Sequence, residues 1–377
     1  MASSNDRPLY TFQYEDPEGW GGVLVIDRLV NGCAAGGVRV TPHVDADEVR
    51  RLARGMTLKS ASLGLGIGGA KVGVRTDPRA PNRMDRVKKF FEQIRFFCET
   101  NYGFGPDINT TSAEVDEVAE HLKLGFRLGV LAPDQDREAA ATRYNDGFAL
   151  PYAGSTIGDM KTAIGALAAV EEAAAQIDAG SPRVAIQGFG AVGATLGQLV
   201  VERGFSLVGV SDAGGAYLKG DGLDVAALRS AVDPSKRIVD RAKLPAGVEV
   251  VDNAKLLALP CDVLVLAATK DAIHADNVGA VQARAVVEAG NIGVTADALV
   301  ALHGAGVPVV PDFVASAGAI TMACGTIRLG FDTKDPNKLA DQIGSRIRRA
   351  VKTAFEAGRE RNVPLRGALL DRMAEQI

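Results

Sequence analysis

The sequence predicts an α/β protein of two domains, one of them built on a doubly wound, mostly parallel sheet. Three observations predict it. An apolar run ending at Gln187 is followed by Gly188, Gly190 and Gly193 in G-x-G-x-x-G spacing, then by apolar residues at Leu196, Leu199 and Val200. This reads as strand, tight turn and helix, the unit that receives a dinucleotide pyrophosphate. Short buried-strand runs then recur at residues 205–211, 261–268, 285–289 and 307–312, separated by helical or turn segments, which is the βα alternation of a parallel sheet. Finally, the chain has 377 residues, and cores usually divide beyond roughly 250 to 300.

Each glycine of the turn has a physical task. Gly188 lets the chain reverse sharply, Gly190 lets a phosphate approach the backbone, and Gly193 lets helix and strand pack closely. The amides of Ala191, Val192 and Gly193 and the helix dipole then face the phosphates. Asp212 ends the next apolar run, 19 residues after Gly193, about the offset at which a carboxylate holds the adenosine ribose 2′-OH. A Rossmann-type cofactor domain over residues 151–337 is expected. The competing reading of the turn is a set of packing glycines in some other α/β unit.

Composition narrows the class. Hydrophobic residues make up 47% and charged residues 23%, an ordinary globular balance. A formal net charge of -4 argues against a broad nucleic-acid or anionic-membrane surface. No uninterrupted apolar run reaches 18 residues, and the N-terminus lacks a signal-peptide core, so a cytoplasmic protein without a membrane partner is expected. Cys33, Cys98, Cys261 and Cys324 are far apart with apolar neighbours, which suits reduced, buried thiols. His43, His121, His274 and His303 have no metal-ligand spacing, so no metal is expected. Trp20 has no basic or aromatic series beside it for stacking on bases.

Residues 1–150 read as a first domain. A strand-like run at 22–29 precedes Asn31 and the paired Gly36-Gly37, which suggest a turn between strands. A helix begins near Asp45, with Asp45 and Glu48 spaced for a capping box. Val49, Leu52, Ala53 and Met56 share one face of it, and Lys59 extends that face. Lys59 is either a snorkelling side chain at the helix end or an ammonium aimed into a cleft. Gly64, Gly66, Gly68 and Gly69 strip side chains away just before Lys71. They allow backbone and ligand to come close to the lysine, although a glycine-rich loop with a solvated lysine would look the same.

A helix over 86–100 carries the stripe Phe90, Phe91, Ile94 and Phe97. Asp107 follows in a turn, where a cap is the plain reading, and a helix runs over 112–122. Residues 130–158 have the weakest pattern and are expected to hold the interdomain hinge. Helical periodicity resumes at Met160, and amphipathic helices over 338–356 and 365–377 are expected to return to the first domain.

Three blocks then resemble one family. They are Gly36-Gly37-Val38-Arg39 through M-T-L-K (Met56 to Lys59) and G-G-A-K (Gly68 to Lys71); the G-F-G-A-V-G turn through Asp212; and Glu288 through Asn291 with residues 309–319. In that order they are similar to the glutamate, leucine, phenylalanine and valine dehydrogenase family. The resemblance implies a substrate domain and a cofactor domain with an active-site cleft between them. It implies reversible, NAD- or NADP-dependent oxidation of an amino acid to the 2-oxo acid and ammonia, in a homo-oligomer.

By the same resemblance, Lys59 holds the substrate α-carboxylate, Lys71 is the catalytic lysine and Asp107 its acidic partner. Gly36, Gly37 and Met56 fall with the substrate, and Thr162, Ala268 and Asn291 with the cofactor. A lysine crowded by charge and partly desolvated can take a proton near neutral pH, which agrees with the assignment. Asp212 favours NAD over NADP, because a carboxylate repels a 2′-phosphate; Ser211 and Lys219 leave room for both. Glutamate-specific members carry a lysine and a serine where Ala35 and Ala323 stand, so a large neutral L-amino acid is expected and glutamate last.

The chain departs from the family pattern at Ser60 and Ser316, both commonly asparagine, and in the order E-A-G-N at Glu288–Asn291. Two other readings stay open on the residues: a 2-hydroxy acid dehydrogenase, which wants a histidine–carboxylate pair, and a non-catalytic nucleotide-binding regulator.

Overall fold

The computed structural model describes residues 7–134 and 136–374, and among these no helix is long and apolar enough to cross a membrane. Residues 1–6, where no signal-peptide pattern is read, and 375–377, where the last helix is expected to end, lie outside the described residues. The chain divides into two units, Met1–Gly147 with Ala323–Lys334, and Phe148–Met322 with Asp335–Ile377.

In the first unit, strands β1 (Tyr10–Glu15), β2 (Gly21–Ile26), β3 (Ala34–Thr41), β4 (Gly68–Arg75) and β5 (Tyr102–Pro106) form one sheet in the order β1-β2-β4-β3-β5. β2 is antiparallel to β1 and β4, whereas β4, β3 and β5 run parallel. Its helices are α1 (Ala46–Ser62), α2 (Arg83–Gln93), α3 (Arg95–Thr100), α4 (Ser112–His121) and α5 (Arg137–Ala149). The helix expected over 86–100 is two helices, broken at Ile94. Phe90, Phe91 and Ile94 are fully buried with Tyr102 and Phe104.

Glycines let α1 lie directly on the sheet. A Cβ at Gly69 would sit 2.1 Å from the Thr57 amide nitrogen, and one at Gly73 would be 2.7 Å from Val49 Cγ2. The turn expected at Gly36-Gly37 is replaced by unbroken strand, because both glycines lie inside β3. Packing explains them: a Cβ at Gly36 would be 1.6 Å from the Ala70 carbonyl oxygen on β4. The weakly patterned residues after 130 include α5, whose Tyr144 packs on Phe126 at 5.6 Å between ring centroids.

The second unit opens with a small hairpin, β6 (Pro151–Tyr152) and β7 (Ser155–Thr156), and α6 (Ile157–Gln176). Then come β8 (Arg183–Gln187), α7 (Ala191–Glu202), β9 (Ser206–Asp212), β10 (Gly215–Leu218), α8 (Val225–Ser230), β11 (Val232–Asp233) and β12 (Ile238–Val239). They are followed by β13 (Glu249–Val251), α9 (Asn253–Leu257), β14 (Val263–Leu266), β15 (Ala285–Glu288), α10 (Ala296–Gly304), β16 (Val309–Val310) and α11 (Asp312–Ala315). The chain ends with α12 (Gly318–Arg328), α13 (Pro336–Arg361) and α14 (Leu365–Ala374).

The main sheet has the order β13-β10-β9-β8-β14-β15-β16. β9, β8, β14, β15 and β16 are parallel, and antiparallel β10 and β13 extend the sheet beyond β9. Strand order therefore reverses between β8 and β14, the switch point at which open α/β sheets take ligands.

Residues 338–374, part of the stretch expected to join the first unit, belong to the second. α6 is buried along most of its length, and α13 covers it through small-residue contacts. A Cβ at Gly165 would lie 2.8 Å from Ile347 Cδ1, and one at Gly344 would lie 3.4 Å from Ala168 Cβ.

Two glycine substitutions near one another should have opposite signs. Gly69→Ala drives a methyl into the α1 backbone and should cost about 1 to 3 kcal/mol. Gly55→Ala, in α1 with nothing within 4 Å of its Cβ, should be neutral or gain up to about 1 kcal/mol. Urea unfolding of the two variants checks both signs.

Candidate active site

β4 brings Lys71 inward, and the turn after β5 brings Asp107 to meet it. Lys71 Nζ lies 3.1 Å from Asp107 Oδ2, and Lys71 is only 6% exposed. The solvated-lysine reading therefore fails: Lys71 is a buried strand residue. Asp107 is fixed from both sides of its turn. The Asp107 amide donates to Thr110 Oγ1 at 2.9 Å, Thr110 Oγ1 donates to the Val38 carbonyl at 2.7 Å, and Asn109 Nδ2 donates to the Val40 carbonyl at 2.8 Å. Gly37 clears the space. A Cβ there would press on Asp107 Cβ at 2.8 Å and Lys71 Nζ at 3.0 Å.

Sequence reasoning missed a third member, Arg39. Its Nε donates to Asp107 Oδ2 at 2.8 Å, and its Nη1 donates to Glu48 Oε1 at 2.6 Å. Asp45 does cap α1, accepting from the Glu48 amide at 2.7 Å, but the Glu48 carboxylate turns to Arg39. The signal was a period of two: Arg39 follows Gly37 by two residues on β3 and pairs in register with Gly73 on β4. That puts it on the face of Lys71.

Charge and burial set the protonation states. Burial holds the Lys71 ammonium below the ordinary lysine value; Asp107 opposes that shift and Arg39 reinforces it. Burial raises the Asp107 carboxyl, but Lys71 and Arg39 together overcome it and hold it below the ordinary aspartate value. An anionic carboxylate thus lies within hydrogen-bond reach of an amine that gives up its proton more readily than a surface lysine.

Lys59 is half-buried in the last turn of α1, and Met56 is half-buried one turn earlier. Ser60, the departure from asparagine, donates to the Ile67 carbonyl at 2.6 Å and ties the end of α1 to the loop before β4. Ala35 on β3 is 1% exposed and Ala323 on α12 is 6% exposed.

In the second unit the glycine turn fits a dinucleotide. Gly188 has φ +101, in the left-handed region. A Cβ at Gly193 would lie 1.8 Å from the Gly188 carbonyl oxygen, while one at Gly190 would meet nothing within 4 Å. No side chain caps α7, whose N-cap is Gly190, so the first-turn amides, those of Ala191, Val192 and Gly193 among them, are left for an anion. Ala268 is exposed across the switch point from Gly188, and its Cβ would lie 2.8 Å from a Cβ built there. Asn291 is exposed just beyond β15. Thr162 is half-buried on α6, where Gly318 lets α12 approach: a Cβ at Gly318 would be 1.9 Å from the Lys161 carbonyl oxygen.

Asp212, the expected ribose clamp, stands at the end of β9. Its Oδ1 accepts from the Gly214 amide at 2.7 Å and from Tyr217 Oη at 3.1 Å, and its Oδ2 accepts from the Val239 amide at 2.7 Å. It closes the turn between β9 and β10, so much of its acceptor capacity is already engaged within the protein.

Fold and residues together define a class: an α/β protein with a dinucleotide-type glycine turn and a buried lysine–aspartate pair. The comparisons then narrow it. Residues 153–370 match the model of glutamate/leucine/phenylalanine/valine dehydrogenases, and residues 11–123 match that of the Glu/Leu/Phe/Val dehydrogenase dimerisation domain. The chain is 30% identical to a NAD-specific glutamate dehydrogenase of Staphylococcus aureus, over 86% of this chain and 76% of that protein. It is 33% identical to the catabolic NAD-specific glutamate dehydrogenase RocG of Bacillus subtilis, over 86% and 74%. Among solved structures, the hetero-hexameric glutamate dehydrogenase of Thermus thermophilus in its Leu-bound form is 26% identical, with TM-score 0.77 over 98% of this chain and 89% of that one. L-tryptophan dehydrogenase of Nostoc punctiforme, at 18% identity and TM-score 0.67 over 98% and 96%, shares the fold. This chain belongs to the glutamate/leucine/phenylalanine/valine dehydrogenase family and is an amino acid dehydrogenase.

The charge network makes a signed prediction. Removing the Asp107 charge in Asp107→Asn should lower the Lys71 pKa further, because Asp107 raises it more than Glu48 does. Titration of isotope-labelled lysine side chains by NMR, with Lys71 assigned by its own substitution, checks the direction.

Proposed function

We propose that this protein catalyses reversible, NAD-dependent oxidative deamination of a large neutral L-amino acid, giving the 2-oxo acid and ammonia. The observation that carries the reading is the buried Lys71 ammonium 3.1 Å from the Asp107 carboxylate. The Lys59 ammonium takes the substrate α-carboxylate, and Gly36, Gly37 and Met56 border the same site. Asp107 accepts a proton from the substrate ammonium, leaving a neutral amine whose lone pair assists loss of hydride from Cα. The oxidised nicotinamide, when bound, supplies the hydride acceptor. Water then attacks the iminium carbon while Lys71, which burial lets enter this step as the neutral amine, takes its proton. Asp107 returns its proton to the carbinolamine nitrogen, and ammonia leaves as the hydroxyl proton passes to the Asp107 carboxylate so freed and the carbonyl forms. Arg39 holds Asp107 in place for both transfers.

Gly188, Gly190, Ala191, Val192 and Gly193 would hold the pyrophosphate, with Thr162, Ala268 and Asn291 on the cofactor side of the site. NAD is favoured over NADP because the Asp212 side chain stands at the end of β9, where a carboxylate repels a 2′-phosphate. The names of the S. aureus and B. subtilis relatives support the same cofactor. The match to a dimerisation-domain model supports a homo-oligomer.

The substrate side chain separates this reading from the glutamate activity named for those relatives. Ala35 and Ala323 are both buried and carry no charge. A carboxylate brought against them would be desolvated without a partner, at several kcal/mol or with forced protonation. Phenylalanine or another large neutral residue should come first, branched aliphatics second and glutamate last. The decisive experiment is steady-state kcat/KM with NAD across L-phenylalanine, L-tryptophan, L-leucine, L-valine, L-alanine and L-glutamate. Glutamate at the top would refute the neutral-substrate reading and leave the reaction class standing. Lys71→Ala should lower kcat by at least about a hundredfold with the fold intact, the usual scale of proton-transfer catalysis.

A further inference from the structure

Behind the loop that carries Asn291 lies a buried charge cluster that the reaction above does not use. Glu288, the last residue of β15, is 0% exposed, and Asp312 starts α11 with 8% exposure. One nitrogen of Arg366, Nη2, bonds both carboxylates at 2.8 Å: Glu288 Oε2 and Asp312 Oδ1. The remaining carboxylate oxygens face the loop. Glu288 Oε1 accepts from the Val294 amide and Asp312 Oδ2 from the Ile292 amide, each at 3.0 Å. Between those anchors the chain makes a sharp bend, with Ile292 at φ 51, a conformation a β-branched residue adopts only when its surroundings impose it.

The loop sits at the ligand end of the sheet. The Gly290 amide donates to the Leu266 carbonyl at the end of β14 at 2.7 Å, and the Asp271 and Ile273 amides donate to the Ile292 and Gly293 carbonyls at 2.8 and 3.0 Å. Residues 289–294 therefore border the carboxyl ends of β14 and β15, next to the switch point.

We propose that Arg366, on the last helix, is a positioning residue for dinucleotide binding: it pairs the two buried carboxylates that hold the 289–294 loop, and with it Asn291, in shape. This rests on the cofactor reading given above. Two buried carboxylates cannot both stay ionised without that cation, so its loss protonates one of them or draws water in. Either change weakens an anchor of the loop, in a part of the unit separate from the glycine turn.

Arg366→Met keeps an unbranched apolar stem and removes the charged guanidinium, which lies over the Phe313 ring. Asp312→Asn, nearly isosteric, removes one anchor's second acceptor oxygen. Full-length variants are tested by isothermal titration with NAD, by thermal melting, and by hydrogen exchange of residues 289–295. Arg366→Met should weaken NAD binding by at least about tenfold and Asp312→Asn by about threefold, with exchange quickened at Ile292 and Val294. Arg366→Lys, whose single ammonium can serve both carboxylates, should recover most of the affinity. If Arg366→Met does not fold, Asp312→Asn decides on the same criterion. A folded variant that binds NAD as tightly as the parent, with the loop amides still protected, overturns the proposal. Failure of the parent protein to bind NAD at all would instead overturn the cofactor reading.

Discussion

Burial of one ammonium, that of Lys71, is the constraint on which the first unit is arranged. A buried cation is stable only with a partner, and Asp107 supplies it at 3.1 Å. That carboxylate must itself be held, which Arg39 does, and Arg39 in turn leans on Glu48 from the start of α1. None of these side chains fits unless the strands around them are bare. Gly37 opens the space between Lys71 and Asp107, while Gly69 and Gly73 let α1 press onto β4. The strand glycines Gly36, Gly37, Gly69 and Gly73 are therefore read as the mould of a charge network and not as turns.

The second unit applies the same device to a different end. Gly188 turns the chain with a positive φ, and Gly193 lets α7 touch that turn. Gly190 leaves the amide end of α7 uncovered. A second set of backbone amides, at Ile292 and Val294, is held by carboxylates on the far side of the switch point. Both loops depend on anchors beneath them, and in the second those anchors are buried charges balanced by one arginine from the end of the chain.

Much of this was legible in the sequence, and the misses have physical causes. The strand–glycine–helix unit was readable because G-x-G-x-x-G spacing, apolar runs and helical period agree with one another. Lys71 and Asp107 were readable as a pair only through the family resemblance, since their 36-residue separation carries no local pattern. Arg39 was missed because a lone arginine after two glycines looks like a strand-edge residue, and Glu48 because its spacing from Asp45 already had a capping explanation. α5 was missed because its alanine-rich face gives little periodic contrast, and its burial depends on Ala140 and Tyr144. Asp212 stands at the expected offset, yet its carboxylate closes the turn before β10. Offset along the chain does not report how many amides a hairpin turns inward. The cluster of Arg366, Glu288 and Asp312 spans residues far apart in the chain, and only the fold brings them together.

The central claim is that hydride leaves the α-carbon of a neutral amino acid bound beside Lys71 and Asp107. The most direct measurement is to incubate the protein with NAD and L-phenylalanine deuterated at Cα, then examine the reduced cofactor by NMR. The account predicts one deuterium at the nicotinamide C4 position for each 2-oxo acid formed, together with a slowed turnover when hydride transfer limits the rate. Reduced cofactor without deuterium, or no reduction with any neutral L-amino acid, would contradict it.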